Sequence, residues 1–516
     1  MTSSTPVLAV YDFRSKQEFI YRTNRMREIT GASELIAGMY KKLLSPSTTG
    51  LKIRNDWDEL NPLPLFHDDS TPALADDEAG AVVYEGGGNL LVLYRNRDTY
   101  VVVNKVFSRT VADEAYSLSM IAGCAEWETS KDKTLSDFEW NRRRAYAALD
   151  RYKRTGNTAT PCNVLPYTLV NRATYQPVID RQRIEDEQIE LTQESKKKRD
   201  AFKAKAEDEK RQGHDWISEG KFIDDLGTKK GYDSLIAVLY FDGNSIGERV
   251  KHAVQEGASQ HKRDEQVMRE FSKKLHTALV KDTEEAMKQA IDALEDENQR
   301  GYRIIIDHGD EITLICNAHA APLAMNAYFE AIKESGYHAC GGMAICHPHD
   351  PFAEVYRIAE ECCESGKDHN RKAQLEGRPD ASYVDFHFCR AGITGTLEQI
   401  RDWQEDGLTA RPYIVGGSYE AFLETGQALR KAQAEGELTR TDLKQLNRAI
   451  LRGESWYLME LERLKSKAAS GLRTAENIAH NYALDLRNLL FDVTSFWDVF
   501  DLCFDQKSTS SNDGGM

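Results

Sequence analysis

Three acidic residues lie between two apolar runs in the stretch RIIIDHGDEITLICNA. They are Asp307, Asp310 and Glu311, and a fourth acid, Asp242, ends the apolar run SLIAVLYF earlier in the chain. Carboxylates that meet at one point repel each other unless a cation neutralises them, and hard oxygen ligands of this kind suit Mg²⁺ or Mn²⁺. The sequence therefore predicts a metal site built from Asp242, Asp310 and Glu311.

The residues that follow Asp242 are suited to binding a phosphate. Gly243 lets the backbone approach an anion closely, Asn244 follows it, and a helix predicted to begin near Ser245 would present free N–H groups. Lys367 and Arg371 lie near the end of a later predicted helix, from which a long cationic side chain could reach the same phosphates. Together these residues predict a nucleotide triphosphate site beside the acids.

The apolar pattern around these residues predicts the order β-α-β-β-α-β. A strand ends at Asp242, a helical region extends to about Gln299, and a hairpin centres on His308 and Gly309. APLAMNAYFEAIKES then predicts a helix, YHACGGMAICH a strand, FAEVYRIAEECCESGKDHNRKA a helix and SYVDFHFC a final strand. Because the central strands of such a sheet are neighbours, we expect Asp242 to lie beside Asp310 and Glu311.

The N-terminal part of the chain repeats this order. PVLAVYDF predicts a strand that contains Asp12, AGAVVYEGGGNLLVLYRN a hairpin around Gly86 to Asn89, and EAYSLSMIAGCAEW another strand. We therefore predict an α+β protein with two ferredoxin-like, palm-type domains and a helical C-terminal domain. The predicted boundaries are 1–160 for the first palm, with a degenerate site, 161–232 for a linker and charged insertion, 233–392 for the second palm, 393–505 for the helical domain and 506–516 for a disordered tail.

Composition points to a globular protein of the cytoplasm. The 516 residues carry a formal net charge of −16, which argues against a surface that follows nucleic-acid phosphate over its whole extent. Nine cysteines without regular spacing, and a start without a basic and apolar leader, favour a reducing compartment. No apolar run approaches the roughly 20 residues that cross a bilayer, so we expect no membrane association.

Three motifs, in this order, carry a resemblance to a known family. LYFDGNSIGERV, IIIDHGDEITLICNA and GYHACGGMAICHPHDPFAEVYRIAEECCESGKD resemble the catalytic palm shared by GGDEF-type diguanylate cyclases and the polymerase-cyclase large subunit of type III CRISPR complexes. YDFRSKQEFIYRTNRMREITGASELI resembles the first palm of the CRISPR subunit, and EGGGN is similar to its degenerate site. The presence of two palms favours the CRISPR-type subunit over a diguanylate cyclase, which has one.

The resemblance implies an enzyme that joins ATP into cyclic oligoadenylates with two divalent metals, Mg²⁺ or Mn²⁺. Asp242 matches the first-strand metal ligand, Asp310 and Glu311 match the acidic positions of the GG(D/E)(D/E) hairpin, and Lys367 matches a phosphate-facing lysine. It also implies RNA or other CRISPR-complex subunits as partners, and a downstream effector that the cyclic nucleotide activates.

The sequence departs from the family pattern at several points. His308 replaces the first glycine of the hairpin, which in the family gives the backbone freedom or leaves room for a phosphate, and Gly309 is retained. Asn244 stands where many palms carry a second carboxylate. The sequence contains neither an HD nuclease motif nor a paired CxxC zinc element.

Two further functions remain open on the sequence. One is a non-catalytic palm scaffold that binds RNA and proteins in a type III CRISPR-like effector complex. The other is a palm that binds nucleotides without turning them over, an alternative that depends on His308.

Overall fold

The structure is a computed structural model, and it describes most of the chain. The described residues are 5–23, 25–59, 62–67, 72–86, 88–155, 165, 167–172, 174–184, 187–211, 235–259, 263–295, 300–389, 394–405, 407–467 and 469–499. The predicted tail 506–516 and much of the predicted linker 161–232 lie outside these residues.

The chain divides into two compact units, and neither is continuous in sequence. Unit 1 comprises Met1–Phe222, Ser245–Val280 and Ile305–Asp310, and unit 2 comprises Ile223–Asn244, Lys281–Ile304 and Glu311–Met516. The helical segment after Asp242, which the sequence assigns to the second palm, is thus grouped with unit 1. The predicted domain boundaries remain predictions.

The first sheet lies in unit 1 and has five strands in the order β2-β3-β4-β1-β5. The strands are β1 (Val7–Arg14), β2 (Lys52–Arg54), β3 (Glu78–Gly86), β4 (Asn89–Tyr94) and β5 (Ser119–Glu126). The helices of this part are α1 (Lys16–Tyr21), α2 (Met26–Leu44), α3 (Pro46–Thr49), α4 (Arg97–Glu114) and α5 (Asp137–Thr155). Strand β1 lies between β4 and β5 and is buried along nearly its whole length, which explains its continuous apolar sequence.

The charged segment after the first palm contains regular secondary structure. The sequence predicts a linker and a charged insertion here, and the described part forms a hairpin, β6 (Val178–Ile184) and β7 (Glu187–Thr192), followed by helix α6 (Gln193–Arg211). Helix α6 packs on α2. Its residue Lys198 is buried; the ammonium group pairs with Glu194 at 2.9 Å and donates to the carbonyl oxygen of Phe19 at 2.5 Å. Sequence periodicity missed this face because it is built partly from paired charges rather than apolar residues.

Two helices that follow Asp242 in sequence pack on the first sheet. They are α7 (Ile246–Ser259) and α8 (Asp264–His276). Met268 of α8 joins the apolar core of the first sheet, and the buried Arg269 donates to the carbonyl oxygens of Val82 and Val83 at 2.8 and 2.6 Å. The predicted helical region is therefore present, and it contributes to the core of unit 1.

The second sheet has six strands in the order β13-β12-β11-β8-β10-β9. Its strands are β8 (Ile236–Gly243), β9 (Tyr302–His308), β10 (Glu311–Asn317), β11 (Ala339–Cys346), β12 (Tyr383–Phe388) and β13 (Tyr413–Ile414). A π-helical stretch, Thr277–Lys281, leads into α9 (Asp282–Asp292), and the helices α10 (Ala321–Ile332) and α11 (Phe352–Leu375) follow β10 and β11. Both sheets have the ferredoxin-like order, which confirms the predicted α+β fold with two palms.

A helical region follows the second sheet, as predicted. Its helices are α12 (Leu397–Glu405), α13 (Ser418–Ala434), α14 (Arg440–Arg452), α15 (Glu454–Lys467), α16 (Ala469–Asn481) and α17 (Leu486–Ser495). Arg401 of α12 binds the fully buried Asp385 of β12 through both carboxylate oxygens, at 2.6 and 2.9 Å. Burial alone would raise the pKa of Asp385, but the guanidinium of Arg401 holds it below its usual value. This ion pair anchors α12 to the sheet.

Most of the described cysteines are buried core residues. Seven are free thiols, and all except Cys124 are buried, including Cys362 and Cys363 of α11. In the described ranges, no helix combines the length and apolar character that crossing a bilayer requires.

Glycine at position 342 allows helix α11 to lie directly on strand β11. A methyl group at Gly342 would overlap the carbonyl oxygen of Ala359 and come within 2.6 Å of the amide nitrogen of Cys363. We predict that Gly342→Ala lowers the free energy of unfolding by about 1–3 kcal/mol, because backbone atoms would have to move. Urea denaturation would measure the loss.

Gly38→Ala is the matched control, since Gly38 lies in helix α2 with no neighbouring atom in reach of an added methyl group. That change should leave stability unchanged or raise it by about 0.5–1 kcal/mol through helix propensity. Equal effects of the two substitutions would contradict the packing argument.

Candidate functional site

Antiparallel pairing of β8 with β10 places two acids side by side. Glu311 is directly opposite Asp242, and on the other side of β8 Cys340 of β11 is also opposite Asp242. Residues paired in this way project from the same face of a sheet, so the two carboxylates share one face at the end of β8. The structure brings Asp242 and Glu311 together as the sequence predicts.

Asp310 lies in the turn immediately before Glu311. The turn consists of Gly309 and Asp310, and Gly309 has φ 70°, a left-handed conformation that favours glycine. His308 is the last residue of β9, and its side chain lies outside the described part of the structure. Gly309 is therefore the residue with positive φ in this turn, and the turn can form with histidine instead of glycine at position 308.

Helix α11 covers the face that carries the acids. The ammonium group of Lys367 contacts the carboxylate of Asp242, and both side chains are largely buried. Burial alone would lower the pKa of Lys367, but the negative charge of Asp242 raises it above the usual lysine value. Lys367 therefore stays cationic and neutralises the first acid of the site.

The segment Gly243 to Ser245 leads from the acid into helix α7. Ser245 has φ 54°, an uncommon conformation for a residue other than glycine, and its carbonyl oxygen accepts from the amides of Glu248 and Arg249. Asn244 is buried: its amide nitrogen donates to Asp380 Oδ1 at 3.2 Å and to the carbonyl oxygen of Ala381 at 2.9 Å. Asn244 therefore binds the loop that contains Asp380 and Ala381.

Arg371 is not brought to the acids. It lies one turn beyond Lys367 on α11, is exposed, and pairs with Asp368 and with Glu364 at 3.5 Å. Its predicted contact with phosphate would require these surface pairs to break.

The donor chemistry of the site fits a hard divalent cation. Asp242 and Glu311 offer carboxylate oxygens. Asp242 already forms an ion pair with one cationic group, the ammonium of Lys367. Over the described residues, no three His, Cys, Asp or Glu side chains lie close enough to hold a metal ion by themselves. Mg²⁺ is usually bound by one or two carboxylates together with substrate phosphates, and a pair of acids fits that mode of binding.

The first sheet repeats the backbone of the site with different side chains. Asp12 of β1 occupies the position of Asp242, but its partner on β4 is Asn89 instead of an acid. Lys153 of α5 contacts Asp12 at 2.7 Å, as Lys367 contacts Asp242, and Lys16 adds a second contact at 3.1 Å. In the described residues of the first sheet, Asp12 is neutralised by two lysines and faces an asparagine in the strand register.

The sequence contains a signal for this duplication that motif analysis missed. DFRS (12–15) and DGNS (242–245) have the same Asp-x-x-Ser spacing. Ser15 has φ 59° and Ser245 has φ 54°, and a helix follows each. Sequence analysis also missed Lys153 and Tyr356, since nothing in a single sequence shows which helical residue faces a given strand end.

A cavity of about 250 Å³ lies in unit 1 beside the glycine-rich hairpin. Its lining includes the aromatic residues Phe13, Tyr40 and Trp57 together with Glu85 and Gly88. Burial raises the pKa of Glu85 to about 7, and the nearby Asp58 adds to the rise. The cavity therefore combines aromatic surface with one carboxyl group that ionises near neutral pH.

Comparison with known proteins finds a match in fold. No family model matches the sequence, and no curated protein matches it significantly. A chain in a crystal structure of a Csm1-Csm4 cassette in complex with pppApA aligns with 97% of this chain and 69% of its own length, at 12% identity and a TM-score of 0.53. The two chains share a fold.

A second solved structure aligns over a similar extent. A chain of the Csm1-Csm4 subcomplex in the type III-A CRISPR-Csm interference complex covers 96% of this chain and 70% of its own, at 12% identity and a TM-score of 0.48. The first of these structures confirms, at the level of the fold, the resemblance that the sequence motifs indicate. At this level of identity the likeness concerns the fold alone.

We predict that placing a carboxylate at position 244 destabilises the protein. In Asn244→Asp two donated hydrogen bonds are lost and a buried negative charge faces Asp380, which should cost about 2–4 kcal/mol. Thermal unfolding would detect this loss. In the double variant Asn244→Asp with Asp380→Asn, the amide and the acid exchange places and part of the stability should return; no recovery would contradict the assigned contacts.

We also predict that Glu85 makes unit 1 less stable as pH rises. Because the folded-state pKa of Glu85 is about 7, the folded protein retains a proton that the unfolded chain loses, and stability falls between about pH 4.5 and 7. Glu85→Gln should therefore raise stability at pH 8 by at most about 3 kcal/mol and leave it unchanged at pH 4. Thermal unfolding at both pH values would measure the change, with Glu18→Gln at an exposed position as the control. A gain in stability that is the same at pH 4 and pH 8 would contradict the raised pKa of Glu85.

Proposed function

We propose that this protein is a nucleotidyltransferase that joins nucleoside triphosphates, ATP in the first place, into cyclic oligonucleotide second messengers. The 3′-oxygen of one nucleotide forms a bond to the α-phosphorus of the next, the bond from that phosphorus to the bridging oxygen breaks, and pyrophosphate leaves in line. The proton of the 3′-hydroxyl group passes to solvent or to a nearby base. The setting proposed is type III CRISPR defence.

The observation that carries the proposal is the acid pair on the second palm. Asp242 and Glu311 are register partners on neighbouring strands, and Asp310 lies in the turn that precedes Glu311. Two carboxylates held on one face repel each other, and a bound cation would relieve that repulsion. The likeness of fold to a chain of the Csm1-Csm4 cassette supports the same conclusion, since that cassette was crystallised in complex with pppApA.

Asp242, Asp310 and Glu311 would hold Mg²⁺ or Mn²⁺. When bound, such ions lower the pKa of an attacking hydroxyl group and neutralise the charge on the phosphates. Lys367 stays charged and is placed beside Asp242, so it would hold a phosphate oxygen once a nucleotide enters. The amides after Ser245 would bind a second phosphate oxygen at the start of α7.

We propose that the first palm binds the acceptor nucleotide. The acid at the end of its first strand, Asp12, is occupied by Lys16 and Lys153, so catalysis there is not proposed. The aromatic cavity lined by Phe13 and Trp57 has the chemistry of a nucleobase site, because bases stack on aromatic side chains. The preference for adenine follows from the family resemblance alone.

We predict that the purified protein, given labelled ATP with Mg²⁺ or Mn²⁺ and candidate RNA, forms cyclic oligonucleotides and pyrophosphate. Asp242→Asn and Asp310→Asn should each lower the rate about 100- to 1,000-fold, which corresponds to the loss of several kcal/mol of transition-state stabilisation. Mass spectrometry of the products would measure both, and would also identify base, linkage and ring size.

Asp307→Asn is the matched control because it removes a carboxylate from the same hairpin but outside the proposed site. Its rate should stay within a few-fold of the unmodified protein. Absence of product from the unmodified protein with every nucleotide and RNA tried, or an unchanged rate in Asp310→Asn, would overturn the proposal.

A second candidate function is a non-catalytic scaffold that binds RNA and proteins in a CRISPR-type complex. A group of large apolar side chains between the first palm and α6 favours it, because each is about half exposed or more: Leu165, Tyr167, Leu169, Tyr175 and Ile179. These five residues are near one another in sequence, and exposed large apolar side chains are typical of protein interfaces where they form one patch. Stoichiometric co-purification with a short RNA, together with no turnover, would favour the scaffold over the enzyme.

A further inference from the structure

Tyr356 connects helix α11 to the second acid of the site. Its hydroxyl group donates to Glu311 Oε1 at 3.3 Å, and the tyrosine side chain is buried, at 2% exposure. A tyrosine has few rotatable bonds, so a buried ring fixes the place of its hydroxyl group. The donor that meets Glu311 is therefore held by the core.

The ring of Tyr356 is held by a residue from the strand that carries Asp242. Tyr240, two residues before Asp242 on β8, meets it edge to face, with ring centroids 5.7 Å apart and planes at 83°. The ring contact therefore holds Tyr356 against the strand that carries Asp242.

Glu311 needs such a partner because of where it lies. It is the first residue of β10, follows a turn and is partly exposed, so its side chain could rotate toward solvent. A hydrogen bond to Oε1 restricts that rotation. Metal-binding carboxylates in proteins are commonly oriented by outer partners of this kind, and removing the partner costs 10- to 100-fold in affinity or activity.

The described residues of the first palm show a different arrangement. The position opposite Asp12 is Asn89, and Tyr146, one of the two tyrosines of helix α5, shares a hydrogen bond of 2.6 Å with the hydroxyl group of Tyr84. Tyr146 thus pairs with another tyrosine. A tyrosine paired with a carboxylate is found on the palm that carries two acids.

We propose that Tyr356 is a positioning residue that orients Glu311 toward a divalent cation shared with Asp242. The inference rests on the proposed function, because it assigns to Glu311 the binding of that cation. Tyr356 does not touch the cation or the substrate: it acts through the carboxylate group, and it leaves the charge of the site unchanged.

A double-mutant cycle on Mn²⁺ binding tests the proposal. The probe is Mn²⁺ alone, and the electron paramagnetic resonance signal of the free ion gives its affinity for the full chain. Tyr356→Phe should weaken binding about 10-fold with little change in melting temperature, since only one hydroxyl group is removed. In the Glu311→Gln background the same substitution should change affinity less than about 2-fold, because the group that Tyr356 orients is no longer a charged ligand.

Tyr482→Phe is the control, since Tyr482 is partly exposed and belongs to the helical region; its Mn²⁺ affinity should equal that of the unmodified protein. Unchanged affinity in Tyr356→Phe, or an equal loss with and without Glu311, would overturn the proposal. If Asp242→Asn weakens Mn²⁺ binding while Tyr356→Phe does not, only the role of Tyr356 fails. If Asp242→Asn binds Mn²⁺ as the unmodified protein does, the proposed function fails as well.

Discussion

The antiparallel register between β8 and β10 places the carboxylates of Asp242 and Glu311 on one face of the second sheet. Two negative charges at neighbouring positions repel each other, and this cost persists unless cations or hydrogen-bond donors compensate it. Helix α11 supplies both, through the ammonium group of Lys367 and the hydroxyl group of Tyr356. The packing of α11 on the sheet and the charge balance of the site therefore depend on each other.

Close packing of α11 on the sheet brings its donor side chains to the strands. Gly342 of β11 removes the side chain that would hold the helix away, and Gly123 of β5 does the same beneath α5 in the first palm. The two glycines occupy equivalent places, since Gly342 is opposite Tyr240 and Gly123 is opposite Val10, each two residues before the strand-end acid. The duplicated module thus preserves its packing even where its site has changed.

Divergence between the palms lies in the side chains at the strand ends. An acid opposite an acid leaves the second palm with a negative charge that a divalent cation could neutralise. In the first palm an asparagine opposite the acid and a second lysine remove that charge. The same backbone therefore supports two electrostatic environments.

The sequence by itself determined the order of strands and helices in both palms, because alternation of apolar runs with turn residues is a local property. It also determined the identity of the acids and their place at strand ends. Only the tertiary structure decided which side chains meet them: Lys367 rather than Arg371 contacts Asp242, Asn244 binds Asp380, and Tyr356 binds Glu311. These contacts join residues 45 to 136 positions apart in the chain, and they depend on helix rotation and on the loss of solvent around charged groups. For the same reason the buried charged face of α6 was not visible in its sequence, since a run of lysines and glutamates has the pattern of a solvated helix until its partner helix is in place.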